Sequence, residues 1–294
     1  MAASRPSRPP RVGDQPLFRR SLIAIVLLLG AALVVAPLVV IGVRAFSAGL
    51  DAFARTITDP DTRHAIGLTV ITALIAVPIN TIFGVAAAWS ITKFEFFGRR
   101  LLLVIIEIPF SVSPIVAGVA YLFVYGLQGV FGPTLQSANV QILFALPGIV
   151  LASMFVTAPF VARELIPLMQ AQGRDLEEAA TSLGASGWRT FLSVTLPNVK
   201  WALLYGVILC NARVMGEFGA VSVVSGNIRG QTNTLPLHIE LLYNDYDTTG
   251  AFAAASILAV LALVTLVAKV ALERKGAGRV PSPAPTVTPV EVTR

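Results

Sequence analysis

The sequence predicts an all-α integral membrane protein with six transmembrane helices. Three observations carry that prediction. Only 13% of the 294 residues are charged and 55% are hydrophobic, whereas soluble domains typically carry about 25% charged residues. Six apolar stretches reach the length of about 20 residues that a bilayer-spanning helix needs. Lysine and arginine cluster in the connections between those stretches, as the topology of membrane proteins requires.

The first apolar stretch follows a basic segment, as the core of a secretory signal peptide would. Signal peptides have apolar cores of only about 7–15 residues, and the run SLIAIVLLLGAALVVAPLVVIGV is longer than that. We therefore interpret 21–46 as a retained first transmembrane helix, followed by a transmembrane domain over 64–272. The six predicted spans cover approximately 21–43, 65–91, 101–125, 143–168, 200–224 and 249–272.

The distribution of basic residues predicts the orientation of the chain. The two tails and the connections 93–100 and 169–199 carry most of the lysine and arginine, whereas 126–142 carries none. Because cytoplasmic loops hold the excess of positive charge, both termini are expected in the cytoplasm. The tails, 1–20 and 273–294, are rich in proline and polar residues and are expected to be disordered.

Several functions are excluded by the composition. The net charge of +6 does not indicate nucleic-acid binding, because the basic residues flank apolar runs and form no basic face. A single cysteine, Cys210, permits neither a disulfide framework nor a cysteine-based metal site. His64 and His238 lie far apart in the sequence, so no metal site is predicted. No Gly-x4-Gly-Lys-Ser/Thr phosphate-binding loop is present, and no catalytic residue is predicted.

The longest predicted cytoplasmic connection is 169–199, which Arg163 and Lys200 flank. Acidic residues open its first half, where a helix N-terminus favours negative charge. Gly184 is a predicted helix stop, and Ser186 is a predicted N-cap for a second short helix. Apolar residues at helical spacing form one stripe on the first helix, comprising Leu176, Ala179, Ala180 and Leu183.

An exposed apolar stripe needs a surface that covers it. The alternatives are the membrane interface and a groove in another protein. Helices at the membrane interface usually carry lysine and arginine on their polar face, whereas Asp175, Glu177 and Glu178 make this helix acidic. The acidic face favours a protein partner over anionic lipid headgroups.

This connection resembles the EAA loop of binding-protein-dependent ABC importer permeases. The matching positions are Glu178, Ala179 and Ala180, then Gly184 after three residues, Val194 after nine more, and Leu196 and Pro197 at the end. Val194 stands where the family usually has isoleucine. The resemblance implies a type I ABC importer permease fold in a bacterial inner membrane, with this segment as a cytoplasmic coupling helix.

The same resemblance implies how the chain would work. An ABC ATPase homodimer would bind ATP and Mg²⁺ and dock on the loop, and this chain would bind no cofactor and catalyse no reaction. The acidic opening turn would suit basic groups on that ATPase. The implied docking residues are Glu178, Ala179, Ala180, Leu183 and Gly184.

A pair of charges is predicted inside the fifth span. Arg213 and Glu217 are four residues apart on one helix face, with Arg213 about 20 Å from Lys200 at 1.5 Å per residue. A charge at mid-membrane costs about 2.5–3.5 kcal/mol on insertion scales and normally faces a bundle interior or a water-filled cavity. The pair therefore either lines the translocation path or its gate, or neutralises itself and holds two helices together.

The sequence around this pair resembles a narrower group of importers. ARVMGEFGAVSVVSG followed by IRGQTNTLPLHIE is similar to the sulfate/thiosulfate importer permeases of the W type, the CysW family. The GEFGA core is shared with molybdate and related oxyanion permeases, so the longer SGNIRGQTNTLPLHIE segment carries the narrower assignment. The resemblance covers most of 64–272 and implies uptake of sulfate or thiosulfate.

The resemblance also implies a set of partners. They are the ABC ATPase homodimer, a second, T-type sulfate permease subunit, a periplasmic sulfate/thiosulfate-binding protein and the lipid bilayer. One alternative is a permease for molybdate, tungstate or another oxyanion. The other is a secondary anion transporter, which would leave the loop spacing unexplained and for which no inverted repeat is visible.

The third span holds further candidates for the pathway. Pro109 and Pro114 predict a kink, at which the hydroxyls of Ser111 and Ser113 either meet a passing anion or satisfy freed backbone groups. Glu107 is the stronger pathway candidate, because an intramembrane carboxylate requires a partner.

Overall fold

The computed structural model of the protein describes residues 16–277, and within them every regular element is helical. Five-residue π-helical turns continue two of the helices, at Ala31–Val35 and Phe191–Thr195. In chain order the α-helices are α1 (Pro16–Gly30), α2 (Ala36–Ala45), α3 (Leu50–Thr58), α4 (Pro60–Lys93), α5 (Arg99–Ser111), α6 (Pro114–Tyr125), α7 (Gly132–Ser137), α8 (Leu146–Thr157), α9 (Pro159–Gln172), α10 (Asp175–Ser182), α11 (Gly187–Thr190), α12 (Leu196–Met215), α13 (Gly219–Ser225), α14 (Leu235–Asn244) and α15 (Thr248–Ala277).

The six predicted spans correspond to five long helices and one bent pair. In the described part of the chain, the helices long and apolar enough to cross a bilayer are Phe18–Ala45, Pro60–Lys93, Leu146–Gln172, Gly187–Met215 and Thr248–Val267. The pair α5 and α6 reaches the required length together, but the chain bends by 109° between the two helices. The all-helical membrane architecture is therefore confirmed, with the third span broken.

The first helix begins earlier and the last ends later than predicted. α1 begins at Pro16, whose fixed φ suits the first helical position, so 16–20 are helical. α15 continues to Ala277, so 273–277 are helical as well. The rest of the two predicted disordered tails lies outside the described residues.

The break in the third span replaces the kink that its prolines predict. Val112 and Ser113 have extended backbone conformations, with ψ of 132° and 134°. Pro114 disfavours the helical conformation at the residue before it and supplies no backbone N–H. The predicted third span, 101–125, is therefore two helices that meet at a break and not one kinked helix.

The predicted fifth span, 200–224, is also wrong in its bounds. Its helix begins at Gly187, inside the cytoplasmic loop, and ends at Met215. The next residue, Gly216, belongs to the residue type that loses most conformational freedom in a helix. A turn follows, and α13 forms a separate helix.

The two broken regions pack against each other, because α13 lies on α6. Glycines permit the close approach. A Cβ atom on Gly118 would lie 2.8 Å from the carbonyl oxygen of Ala220, and one on Gly219 would lie 3.0 Å from the Cβ of Pro114. Such small residues are typical of helix contacts in membranes.

The core lies where α4, α9 and α12 meet. A Cβ atom on Gly84 would lie 2.7 Å from the Cβ of Val161, and one on Gly206 would lie 3.2 Å from the Cα of the same valine. Asn80 donates to the hydroxyl of Thr157 at 2.7 Å, which joins α4 to α8. These close contacts fix the relative positions of α4, α9 and α12, the helices next to the candidate site.

We expect Gly84→Val to destabilise the protein by about 1–3 kcal/mol, the usual cost of overpacking a filled core. The added side chain would collide with Val161. Thermal unfolding in detergent measures the effect, and Gly67→Val is the control because no atom lies within 4 Å of that position. Equal melting temperatures for the two variants would contradict the expectation.

Candidate functional site

The loop between α9 and α12 contains the two short helices that its sequence predicts. α10 ends in a Schellman motif, in which the Ala185 N–H donates to the Ala180 carbonyl at 3.0 Å and the Gly184 N–H donates to the Thr181 carbonyl at 2.9 Å. Gly184 has a φ of +85°, which glycine adopts without steric cost. The Ser186 hydroxyl accepts a backbone N–H of α11 at 3.4 Å. The predicted glycine stop and serine cap are confirmed.

An apolar surface of this loop is not covered by any part of the described chain. Leu183 is 90% exposed, Trp188 64% and Leu176 56%, and we call these three residues the apolar loop surface. Large exposed apolar groups that lie together mark interaction sites. Of the predicted docking residues, Ala180 is half-buried and the exposed ones are Glu178, Ala179, Leu183 and Gly184.

Glu177, which the sequence marks only as one of three acidic residues at the start of α10, attaches α10 to the membrane helices. Its Oε1 lies 2.8 Å from Nζ of Lys93, the last residue of α4, and accepts the Thr195 hydroxyl at 3.1 Å. Nζ of Lys93 also donates to the Gly173 carbonyl at 2.5 Å. The Lys93 and Glu177 side chains are only 7% and 19% exposed, so water screens this ion pair less than a surface pair. One ammonium group thus joins the ends of α4 and α9 to α10.

Aromatic rings support the same junction. The Trp89 ring of α4 lies 4.6 Å from that of Phe191 and 5.2 Å from that of Phe94, and Trp188 stacks on Phe191 at 5.5 Å. Such pairs contribute about 0.5–1.5 kcal/mol beyond the area that they bury. The second half of the loop is therefore packed on the end of α4, whereas the ion pair holds the first half.

The predicted Arg213–Glu217 pair forms, but not on one continuous helix. Nη2 of Arg213 lies 3.0 Å from Oε2 of Glu217, and Glu217 follows the end of α12. Its Oε1 accepts the Ala220 N–H at 3.0 Å, in the first turn of α13. The Glu217 side chain is 1% exposed and that of Arg213 is 36% exposed. The carboxylate therefore neutralises Arg213 and caps α13, which favours a structural role for the pair.

The residues of the third span that the sequence proposes for the translocation pathway lie on an exposed part of the chain. Glu107, Ser111 and Ser113 are all exposed, and within residues 16–277 neither serine hydroxyl forms a hydrogen bond. The expectation that these hydroxyls satisfy backbone groups freed by the prolines is therefore wrong. The physical reason is that the span is broken, because extended residues at 112–113 replace the kinked helix in which those hydrogen bonds were expected.

Arg163 joins this group, although its place in the sequence only marks it as flanking the loop. Its Cζ lies 4.8 Å from the centroid of the Phe110 ring. Phe110 in turn lies 5.3 Å from the ring of Phe160 on α9. The contact between α5 and α9 thus brings an arginine beside the helix that carries Glu107, an arrangement that no local sequence pattern indicates.

At the opposite end of the molecule, α14 is bound to the beginning of α4. Nε2 of His238 lies 2.9 Å from the hydroxyl of Thr62. Burial lowers the pKa of His238 below its ordinary value, while Asp59 and Asp61 act in the opposite direction and Arg229 reinforces the decrease. The neutral imidazole is therefore the form that this contact prefers. Within the described residues, no group of three or more histidine, cysteine or acidic side chains is placed to hold a metal ion.

Comparison with known proteins decides the family. A family model described as binding-protein-dependent transport system inner membrane component matches residues 80–276. The chain belongs to this family. It is accordingly a multi-pass inner membrane permease of the ABC importer type.

Named relatives of this permease cover most of its length. The sulfate transport system permease protein CysW of Escherichia coli (strain K12) is 55% identical over 252 residues, which are 86% of this chain and 87% of that protein. CysW of Synechococcus elongatus is 50% identical over 262 residues, 89% of this chain and 92% of that protein. The sulfate transport system permease protein CysT of E. coli (strain K12) is 34% identical over 212 residues, 72% of this chain and 76% of that protein.

Solved structures share the fold of this permease at low sequence identity. A chain of a bacterial alginate ABC transporter, in complex with an alginate pentasaccharide-bound periplasmic protein, matches with a TM-score of 0.70 at 18% identity. The match covers 87% of this chain and 96% of that one. This likeness confirms the predicted ABC importer permease fold and shows nothing about cargo.

We expect Lys93→Gln to loosen α10 without unfolding the spans. The variant leaves the Glu177 carboxylate without its cation in a shielded place, and we expect amide hydrogen exchange in α10 to become faster by roughly tenfold. Mass spectrometry of the protein in nanodiscs measures this rate. Glu95→Gln is the control, because it removes only an exposed pair with Arg174 at 3.8 Å. If both variants exchange alike, the anchoring role of Lys93 is wrong.

We expect acidification to loosen α14. A histidine whose pKa is lowered in the folded state stabilises the fold fully above its ordinary value of about 6.5. That stability is lost as the pH falls below this value towards the lowered pKa. Hydrogen exchange of the α14 amides at pH 7.5 and pH 5, expressed as protection factors that correct for the intrinsic pH dependence of amide exchange, tests the expectation. His238→Gln keeps a partner for Thr62 but does not titrate, so its protection factors should be the same at both pH values, and an unchanged loss of protection at pH 5 in this variant would refute the assignment.

Proposed function

We propose that this protein is a permease subunit of an ATP-driven importer of sulfate or thiosulfate and forms half of its translocation pathway. The observation that carries the proposal is the 55% identity to CysW of E. coli across 87% of that protein. Relatives named CysW in Synechococcus and Synechocystis are 50% and 48% identical. Agreement of this extent over whole proteins supports a shared cargo class more strongly than a short motif does.

The loop is the proposed docking site for an ABC ATPase homodimer. Its apolar surface requires a partner, and the exposed carboxylates of Asp175 and Glu178 suit basic groups on that partner. ATP and Mg²⁺ would be bound by the ATPase, and this chain would bind no cofactor. Because Glu177 is held by Lys93, a displacement of α10 would pull directly on the ends of α4 and α9.

The other partners are proposed from the relatives and from the two ends of the molecule. A T-type permease, similar to the CysT proteins, would supply the second half of the pathway. A periplasmic sulfate/thiosulfate-binding protein would dock at the end that carries α14, where an exposed ion pair joins Arg229 and Asp245. The basic connections on the side of the docking loop support cytoplasmic termini.

The cargo assignment is tested with the complete transporter in nanodiscs. We expect the ATPase rate to rise when the binding protein is added with sulfate or thiosulfate, because loaded binding protein signals through the permease. The same assay with molybdate and phosphate supplies the comparison. Stimulation by molybdate alone would refute the sulfate assignment, and transport by this chain without any ATPase would refute the importer assignment.

We expect Glu178→Lys to uncouple ATP hydrolysis from transport while the protein still inserts in the membrane. The reversed charge would repel basic groups on the ATPase, and we expect sulfate uptake by proteoliposomes to fall by at least about tenfold. Glu95→Lys makes the same charge change on the same side of the membrane but outside α10, and should retain uptake. Normal uptake by Glu178→Lys would show that the loop does not dock in this way.

A further inference from the structure

One exposed face of the chain carries charged and polar side chains at membrane depth. Glu107, Phe110 and Ser111 lie on one side of α5, because residues three and four apart are neighbours on a helix. The guanidinium group of Arg163 on α9 contacts this side through Phe110 at 4.8 Å. All four residues are exposed, and we call them the polar face.

The polar face lies well inside the bilayer. α5 begins and α9 ends on the side of the docking loop, at Arg99 and Gln172. At 1.5 Å per residue, Glu107 lies about 12 Å from the beginning of α5, and Arg163 lies about 14 Å from the end of α9. The hydrocarbon core is about 30 Å thick, and charged groups at such depth almost always face a bundle interior or a water-filled cavity. Exposed charges here therefore indicate a surface that does not face lipid.

Arg163 differs from Arg213, the other arginine placed inside the membrane, in whether its guanidinium group is already paired. Within residues 16–277, Arg163 forms no hydrogen bond and no ion pair, whereas Arg213 is neutralised by Glu217 at 3.0 Å. A cation–π contact holds a guanidinium group near a ring without engaging its N–H donors. The planar fork of donors matches two oxygens of a tetrahedral oxyanion.

We propose that the polar face lines the translocation pathway and that Arg163 binds the passing anion there, a divalent tetrahedral oxyanion such as sulfate. This inference rests on the proposed function and moves the anion contact from Arg213 to Arg163. The hydroxyl of Ser111 supplies a neutral donor beside Phe110. Glu107 opposes tight binding through its negative charge, which favours release, and conduction requires sites that bind weakly enough for the solute to leave.

Uptake by the complete transporter in proteoliposomes tests the role of Arg163. We expect Arg163→Gln to lower sulfate uptake by at least about tenfold, because it removes a charged donor pair. Stimulation of the ATPase by loaded binding protein should be retained, because the docking loop is unchanged. Arg163→Lys keeps the charge but not the planar fork, and should retain part of the uptake. Arg100→Gln, which changes an exposed arginine near the beginning of α5, is the matched control and should behave like the wild type.

Cysteine labelling tests whether the polar face meets water. Arg163→Cys is made in a Cys210→Ala background, which removes the buried natural thiol, and is treated with the anionic reagent sulfonatoethyl methanethiosulfonate. Thiolates form only where water reaches the sulfur, so position 163 should be labelled. Ile105→Cys, an exposed apolar position on another side of α5, should stay unlabelled.

The outcomes separate this inference from the proposed function. Unchanged uptake by Arg163→Gln, or no labelling at position 163, would overturn the inference while the importer assignment stands. Failure of Arg163→Gln to assemble with the second permease would also overturn it, because the arginine would then be a contact between subunits. If the wild-type complex shows neither sulfate uptake nor sulfate-dependent ATPase stimulation, the proposed function itself is wrong.

Discussion

Hydrocarbon solvates neither backbone polar groups nor charges, and the arrangement of helices follows from that constraint. Two spans of this chain are interrupted, at 112–113 and at 216–218, and each interruption frees backbone groups at membrane depth. The helices that follow the two breaks, α6 and α13, pack against each other, with Gly118 and Gly219 at the contact. Glu217 then satisfies the first turn of α13 and neutralises Arg213.

The loop between α9 and α12, the proposed docking site, is connected to the membrane helices at both of its ends. Its second half is continuous with a span, as one helix of 29 residues that runs from Gly187 to Met215. The loop is held at its other end by the Lys93–Glu177 pair, whose side chains are largely shielded from water. A push on the loop would therefore reach two places at once. One is the pair of helix ends at Lys93 of α4 and Gln172 of α9, and the other is the turn at 216–218, at the other end of the 29-residue helix.

The cost of placing charge in hydrocarbon divides the charged residues near and within the membrane helices into two kinds. Lys93, Glu177, Arg213 and Glu217 are paired and largely shielded, so they hold helices in position. Arg163 and Glu107 are exposed at depth and form no ion pair with each other. Paired charges in a membrane suit structure, whereas unpaired ones indicate contact with water, solute or another subunit. This distinction separates residues that shape the pathway from residues that are placed to meet its cargo.

The sequence by itself determined the helical membrane class, the number of hydrophobic units and the caps of the docking loop. Those features depend on local chemistry: the length of an apolar run, the freedom of Gly184 to adopt a positive φ, and the hydroxyl of Ser186. It also carried the family resemblance, since the EAA spacing lies within about twenty residues. Tertiary structure decided the rest. Glu177 meets Lys93, and Arg163 meets Phe110, across segments far apart in the chain, and only helix packing sets those distances. The breaks at 112–113 and 216–218 belong to the same class, because α6 and α13 stabilise conformations that neither segment would keep alone in a membrane.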